Sequence, residues 1–387
     1  MVLKVGRAAL AAPPFLAMDV IAAANARQAA LPPGAPGVVH MEVGQPGTGA
    51  PAGAIAAARK ALEQGGSLGY TEALGLPSLR QRIARHYRDW YGVEVPVSRI
   101  AATTGASGAF PLAFLAAFDP GDRVALAAPF YPPYVNILVA LGLEPVIMEA
   151  TAATRFQPTV GMLERLDPLP AGLIAASPCN PAGTMLHPDE LSQLARWCEA
   201  AGVRMISDEI YHGLNYDSTV ATAAACSEHA VVINSFSKYF SMTGWRIGWM
   251  VLPEDLLRPA ECLAQNFFIS PPHISQLAAT AAFDCHAELQ ANVAAYRRSR
   301  DYLLGALPGA GFPRLSPAEG AFYLYADITE RSNDSLAFCA RMLQETGVAA
   351  TPGVDFDRTR GNRFVRFSYC GAEADMREAA ARLAGWA

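Results

Sequence analysis

The chain reads AGLIAASPCNPAG at residues 171–183, RMISDEIY at residues 204–211 and VVINSFSK at residues 231–238. Each stretch begins with a short apolar run and ends in polar side chains. The runs do not alternate with polar residues, which is typical of strands buried on both faces in a mostly parallel sheet. Residues 124–128 and 249–252 repeat the apolar pattern. We therefore predict an α/β fold, with a mostly parallel central sheet between helices.

Helical patterns separate several of these strands. We predict one helix at residues 77–91 that ends at Gly92, and another at residues 188–201 that ends at Gly202, because glycine favours a helix C-terminus. Residues 31–53 are rich in proline and glycine and predict a loop.

The last third of the chain has a different pattern. Residues 322–325 and 364–368 predict strands of a second sheet, and residues 335–345 and 372–384 predict amphipathic helices that pack on it. Strands and helices in this order indicate a smaller α+β unit.

Composition excludes several classes of protein. The chain has 387 residues, of which 52% are hydrophobic, and a net charge of −5, which argues against a nucleic-acid partner. The longest apolar run, residues 109–118, contains Pro111 and is about half the length of a membrane span. The seven cysteines have no paired spacing, which favours reduced thiols in a cytoplasmic protein. No histidine spacing indicates a metal site.

The ends of three predicted strands carry groups that can do chemistry. Ligands of open parallel sheets bind at the carboxyl ends of the strands. These ends present an amide, a carboxylate with a phenol, and a lysine with hydroxyls: Asn180, Asp208, Tyr211, Ser235, Ser237 and Lys238.

The motifs Asn180-Pro181-Ala182-Gly183, Asp208-Glu209-Ile210-Tyr211 and Ser235-Phe236-Ser237-Lys238, with Gly244-Trp245-Arg246, resemble those of the class I/II aminotransferases. These enzymes bind pyridoxal 5′-phosphate on the fold type I scaffold, which is aspartate aminotransferase-like. The resemblance covers residues 18–386. It implies transfer of an amino group from an L-amino acid to a 2-oxo acid by a ping-pong mechanism. The family commonly has threonine at the position of Ala182. We expect this difference to be tolerated, because Asn180 makes the contact with the cofactor.

The resemblance implies the catalytic roles. Lys238 would form the covalent bond to the cofactor aldehyde and later move a proton, which requires a lowered pKa because only the neutral amine attacks. Asp208 would keep the pyridine nitrogen protonated, so that the ring accepts electrons. Tyr211 and Asn180 would donate to the phenolate oxygen of the cofactor.

The family's phosphate ligands match a second set of residues. Small residues precede the predicted helix at 109–118, whose N-terminus favours an anion. The residues implied to hold the phosphate are Ala106, Ser107, Ser235, Ser237, Arg246 and, from the partner subunit of a dimer, Tyr70.

Three further residues complete the implied site. Tyr131 matches the aromatic residue that stacks on the cofactor ring, with neighbouring Phe130 as the alternative. Gly44 and Arg366, together with Asn180, match the groups that bind the substrate carboxylate. An arginine fork suits a carboxylate because it donates two parallel hydrogen bonds.

The same resemblance implies a homodimer with shared active sites. The change of sequence pattern in the last third of the chain predicts a division into domains. Residues 1–45 form an N-terminal arm and part of the small domain, with a helix at residues 18–30. Residues 46–287 form the large cofactor-binding domain, and residues 288–387 form the small domain.

Three alternative functions can be compared with the features of the sequence. A nicotinamide-dependent dehydrogenase lacks support, because no G-x-G-x-x-G follows a predicted strand. A non-catalytic ligand-binding protein on the same fold is an alternative. A carbon–sulfur lyase, decarboxylase or racemase is another, because Lys238 and Asp208 serve all these reactions.

The amino donor is predicted to be neutral or aromatic. Aspartate or glutamate needs a second cation, and the sequence has no lysine or arginine between Arg258 and Arg297. Ser107 supplies only a hydroxyl at the other position where relatives place that cation. The alternative is an arginine of the N-terminal arm, such as Arg27, or a mobile arginine that folds over the substrate.

Overall fold

The computed structural model describes residues 3–386. The α-helices are α1 (Arg7–Ala11), α2 (Leu16–Ala30), α3 (Ala52–Glu63), α4 (Pro77–Tyr91), α5 (Ala106–Ala117), α6 (Pro133–Ala140), α7 (Val160–Leu163), α8 (Pro188–Ala201), α9 (Glu254–Phe267), α10 (His273–Ala282), α11 (His286–Ala306), α12 (Ser335–Thr346) and α13 (Glu373–Ala384). The strands are β1 (Val39–His40), β2 (Ile100–Thr103), β3 (Arg123–Ala128), β4 (Glu144–Glu149), β5 (Gly172–Ala176), β6 (Arg204–Asp208), β7 (Val231–Ser235), β8 (Gly248–Val251), β9 (Arg314–Leu315), β10 (Tyr323–Asp327), β11 (Val348–Ala349), β12 (Thr351–Pro352) and β13 (Phe364–Ser368). None of these helices is both long enough and apolar enough to cross a bilayer.

The central sheet has seven strands in the order β2-β8-β7-β6-β5-β3-β4. Strands β3 to β7 run parallel, whereas β8 is antiparallel to both of its neighbours. The predicted mostly parallel sheet is therefore confirmed. Sequence patterns did not indicate the two outer strands, because β2 is a four-residue segment with two alanines and β4, at the sheet edge, has only one buried residue.

The predicted helices α4 and α8 have the expected bounds, and Gly92 and Gly202 end them with φ values of 67° and 69°. The predicted start of α5 at residue 109 is wrong. The helix begins at Ala106, because Gly105 adopts a φ of 71° that ends the preceding turn. Pro111 consequently lies inside the helix rather than in its first turn.

The second sheet is antiparallel, with four strands in the order β12-β13-β10-β9. Its two longer strands are those predicted from the sequence, and α12 and α13 also occur as predicted. The predicted loop at residues 31–53 is interrupted by β1, which pairs in parallel with β11. A pairing between segments 309 residues apart, as at Val39 and Val348, leaves no local signal in the sequence.

Helix α2 depends on a distant residue for its N-terminal cap. Phe15 occupies the cap position and has no side-chain oxygen. The carboxylate of Asp355 instead accepts hydrogen bonds from the backbone N–H groups of Leu16, at 3.0 Å, and Ala17, at 3.1 Å. Burial raises the pKa of Asp355. This contact joins the N-terminal segment to the second sheet.

Replacing Asp355 by alanine removes this cap. We expect Asp355→Ala to lower the free energy of unfolding by about 1 kcal/mol, the usual effect of losing a helix cap. Asp355→Asn keeps an acceptor oxygen and serves as the matched control. Urea denaturation of the three proteins measures the difference, and equal stability of all three would contradict this role.

Candidate active site

A cavity of about 740 Å³ lies at the carboxyl ends of β5, β6 and β7. Its wall is formed by residues from both sheets and from α2, α5 and α6. The residues predicted from the sequence that line it are Gly44, Ala106, Ser107, Tyr131, Asn180, Asp208, Tyr211, Ser237, Lys238, Arg246 and Arg366. A larger open groove, of about 1230 Å³, lies between the loop after α4 and the start of α9 and contains none of these residues.

Three predicted side chains lie outside the cavity wall. Ser235 is buried behind it, and its hydroxyl donates to the Ser237 hydroxyl over 2.9 Å. Tyr70 is 82% exposed on the surface. Phe130, the alternative to Tyr131, faces a different crevice.

Lys238 follows β7 and points toward the N-terminal segment. Its Nζ donates a hydrogen bond to the Gly44 carbonyl over 2.6 Å. Burial lowers the pKa of Lys238 to about 8, and the cations Arg366 and Arg246 act in the same direction. About a tenth of this amine is therefore neutral at pH 7 and about half at pH 8, and the neutral form is the one that a nucleophile or a base requires.

Asp208 ends β6 and lies at the floor of the cavity. Its Oδ1 accepts from the N–H of Ile210 over 3.0 Å, and its Oδ2 accepts from the Tyr134 hydroxyl. Burial raises the pKa of Asp208 to about 6, and both hydrogen bonds oppose that rise. The carboxylate is therefore mostly ionised at pH 7. Sequence reasoning missed Tyr134, although it belongs to the same aromatic motif as Tyr131.

Tyr211 reaches the cavity from the turn after β6. Its hydroxyl lies 2.7 Å from that of Tyr323, a cavity residue on β10 that sequence reasoning also missed. Burial raises the pKa of Tyr211 well above its usual value, so the phenol keeps its proton.

Arg366 lies on β13 with most of its donors satisfied. Its Nη1 donates to Oδ1 of Asn180 over 2.9 Å, and its Nη2 donates to Oγ1 of Thr351 over 3.0 Å and to the Glu42 carbonyl. The guanidinium packs 4.5 Å from the ring centroid of Tyr323. Its Nε is buried and has no partner within residues 3–386. This orphaned donor indicates that an acceptor is still to be bound.

The opposite end of the cavity suits an anion. The first N–H groups of α5 have no partner within the helix. At Gly105, a Cβ would lie 2.6 Å from Nη2 of Arg246, so only glycine allows the arginine to approach this helix terminus. Nη2 of Arg246 also donates to the Ser107 hydroxyl over 3.4 Å, and Ser237 lies on the same wall.

These groups fit a phosphorylated pyridine aldehyde. The α5 terminus and Arg246 offer donors and positive charge to a phosphate. Asp208 offers a carboxylate to a protonated ring nitrogen, and Lys238 offers an amine to an aldehyde. Three parts of the cavity thus match three chemical groups of one cofactor, namely its phosphate, its ring nitrogen and its aldehyde.

Comparison with known proteins gives the class. The family model for aminotransferases of class I and II matches residues 36–383. The chain therefore belongs to the class I and II aminotransferases. It is a pyridoxal-phosphate-dependent enzyme with the fold type I architecture, as the sequence predicted.

Individual relatives agree with this assignment. A Mycobacterium tuberculosis protein named valine–pyruvate aminotransferase is 49% identical over 378 residues, which cover 97% of this chain and 96% of that protein. A crystal structure of an aminotransferase from Mycobacterium tuberculosis has a TM-score of 0.97 at 48% identity, covering 100% of this chain and 99% of that chain. The aspartate aminotransferase from Thermus thermophilus, solved with maleate, has a TM-score of 0.92 at 30% identity and 99% coverage of both chains.

The pKa of Lys238 predicts how cofactor uptake depends on pH. Because the pKa is lowered to about 8, the neutral amine accumulates as pH rises through 8 and is complete above it. We expect the rate at which cofactor-free enzyme develops visible absorbance with pyridoxal phosphate to rise through this range and then level off. Lys238→Ala is the control and should develop no such absorbance. A rate that rises only near pH 10, where an ordinary lysine titrates, would contradict the prediction.

Proposed function

We propose that the enzyme transfers the amino group of a neutral L-amino acid to a 2-oxo acid, with Lys238 as the catalytic base. The observation that carries this proposal is the convergence of Lys238, Asp208 and Arg366 on one cavity. The bound cofactor supplies a ring that accepts the electron pair left when the substrate loses its α-proton. Two half-reactions with alternating substrates give ping-pong kinetics.

The roles of the chain's own groups follow from their positions. Lys238 takes the proton from the substrate Cα, since its lowered pKa provides a neutral amine at working pH. Asp208 keeps the ring nitrogen protonated, and Tyr134 holds that carboxylate in place. Arg366 grips the substrate carboxylate, with Asn180 orienting the guanidinium.

The remaining residues hold the cofactor. Tyr211 and Asn180 would donate to its phenolate oxygen, and Tyr131 would pack on its ring. Ala106, Ser107, Ser237 and Arg246 would supply donors to its phosphate. Ser235 acts through its hydrogen bond to Ser237.

The cavity wall supports a neutral donor. The charged residues that line it are Glu42, Asp208, Lys238, Arg246 and Arg366, and each of the three cations already has a role. Helices α2 and α6 and the residue before α2 contribute apolar side chains to the wall, namely Phe15, Ala17, Met18, Ile21 and Ile137.

Arg27, the alternative cation, supports the same conclusion. Its Nη1 donates to Gln344 over 3.3 Å, and it lines a surface crevice near the end of the chain instead of this cavity. The 49%-identical relative is named for valine and pyruvate, which both have uncharged side chains. We therefore propose valine as donor and pyruvate as acceptor.

Comparison of kcat/KM for valine, methionine, phenylalanine and aspartate, each with pyruvate, tests this proposal. We expect valine to exceed aspartate by about a hundredfold, because an unpaired carboxylate in a desolvated pocket loses a few kcal/mol. Release of ammonia without keto-acid consumption would instead favour a lyase. A lead of aspartate by about tenfold would contradict the neutral specificity.

We further propose a homodimer with shared active sites in the cytoplasm. Tyr70 is exposed on its own subunit, and three apolar residues at the end of α9, Phe267, Phe268 and Ile269, are also exposed. The two regions are adjacent, since the N–H of Thr71 donates to the Ser270 hydroxyl over 3.2 Å. A partner subunit that covers this surface would place Tyr70 at its phosphate site. The division at residues 45 and 287 into arm, large domain and small domain belongs to the same proposal.

Hybrid dimers test the shared site. Lys238→Ala and Tyr70→Phe subunits are each impaired, but in a mixed dimer one site carries both defects and the other carries neither. We expect activity to rise when the two variants are mixed under conditions of subunit exchange. Mixing Lys238→Ala with itself is the control. A fully active monomer by sedimentation would contradict the proposal.

A further inference from the structure

The Tyr323 hydroxyl lies where three parts of the active site meet. It is 2.7 Å from the Tyr211 hydroxyl, and its ring packs 4.5 Å from Cζ of Arg366. A Cβ at Gly44 would lie 2.0 Å from this same hydroxyl, so no larger residue fits at position 44. The Gly44 carbonyl in turn accepts from Lys238. Tyr323 therefore contacts Tyr211, Arg366 and Gly44, and Gly44 is the residue whose carbonyl holds Lys238.

The direction of the Tyr211–Tyr323 hydrogen bond decides what Tyr211 offers to the cavity. A phenol has one hydrogen, so Tyr211 can donate into the cavity only if it accepts from Tyr323. Burial raises the pKa of both hydroxyls, so both keep their hydrogens. The Arg366 cation favours proton release from both phenols, but its guanidinium packs directly on the Tyr323 ring, 4.5 Å from the centroid, which makes Tyr323 the better donor of the pair.

We propose that Tyr323 is a positioning residue, which donates to the Tyr211 hydroxyl and so directs the Tyr211 hydrogen toward the phenolate oxygen of the cofactor. Within residues 3–386 the Tyr323 hydroxyl has no other hydrogen-bond partner. A donor that itself accepts a hydrogen bond is strengthened by about 10–30%. The inference rests on the proposed contact of Tyr211 with the cofactor.

A pH titration of the visible absorbance of the cofactor-loaded enzyme tests the proposal without measuring turnover. Weaker donation leaves more negative charge on the phenolate oxygen, which holds the proton of the lysine–cofactor bond more tightly. We expect Tyr323→Phe to raise the titration pKa by about half a unit. Tyr211→Phe should raise it further, by about one unit or more.

The same strand offers a matched control. Tyr325 lies two residues further along β10. Its hydroxyl is buried with no hydrogen-bond partner among residues 3–386, and its ring stacks on Phe364 at 4.6 Å. Tyr325→Phe removes an equivalent hydroxyl that does not touch Tyr211. We expect the titration pKa of this variant to equal that of the wild type.

The double variant identifies the route of the effect. If Tyr323 acts through Tyr211, Tyr323→Phe adds no further shift in the Tyr211→Phe background. An unchanged or lowered pKa in Tyr323→Phe, a fully additive double variant, or an equal shift in Tyr325→Phe would each overturn the inference. If Tyr211→Phe itself leaves the pKa unchanged, the proposed cofactor contact fails, and this inference fails with it.

Discussion

Three charged groups, Lys238, Asp208 and Arg366, share one cavity, and their removal from water must be compensated. Asp208 obtains hydrogen bonds from Tyr134 and from the backbone of Ile210. Lys238 donates a hydrogen bond to the Gly44 carbonyl. Burial lowers the pKa of the amine to about 8 and raises that of the carboxyl to about 6. At pH 7 the cavity therefore contains a mostly ionised carboxylate and an amine of which about a tenth is neutral.

These compensating contacts explain why the two sheets must meet. The central sheet supplies Asp208 and Lys238 at the ends of neighbouring strands, β6 and β7. The second sheet supplies Arg366, whose guanidinium reaches across to Asn180 at the end of β5. Neither sheet alone contains both the buried amine and the guanidinium that we propose binds the substrate carboxylate.

The N-terminal segment closes the remaining side of the cavity. Gly44 approaches both Lys238 and Tyr323, and α2 contributes an apolar wall. Asp355, which lies between β12 and β13, caps α2. This apolar wall differs in character from the charged part of the cavity, which contains Asp208, Lys238 and Arg246.

The sequence by itself determined the strand-end motifs, the bounds of α4 and α8, and the family, because runs of apolar residues, helix-ending glycines and short motifs are local signals. The structure brings eleven of the thirteen predicted site residues to the cavity wall. Only the tertiary structure decided the start of α5, the place of Ser235 behind Ser237, and the contacts of Tyr134, Tyr323 and Asp355. Their partners lie 74, 112 and more than 300 residues away along the chain, so no pattern of neighbouring residues encodes them.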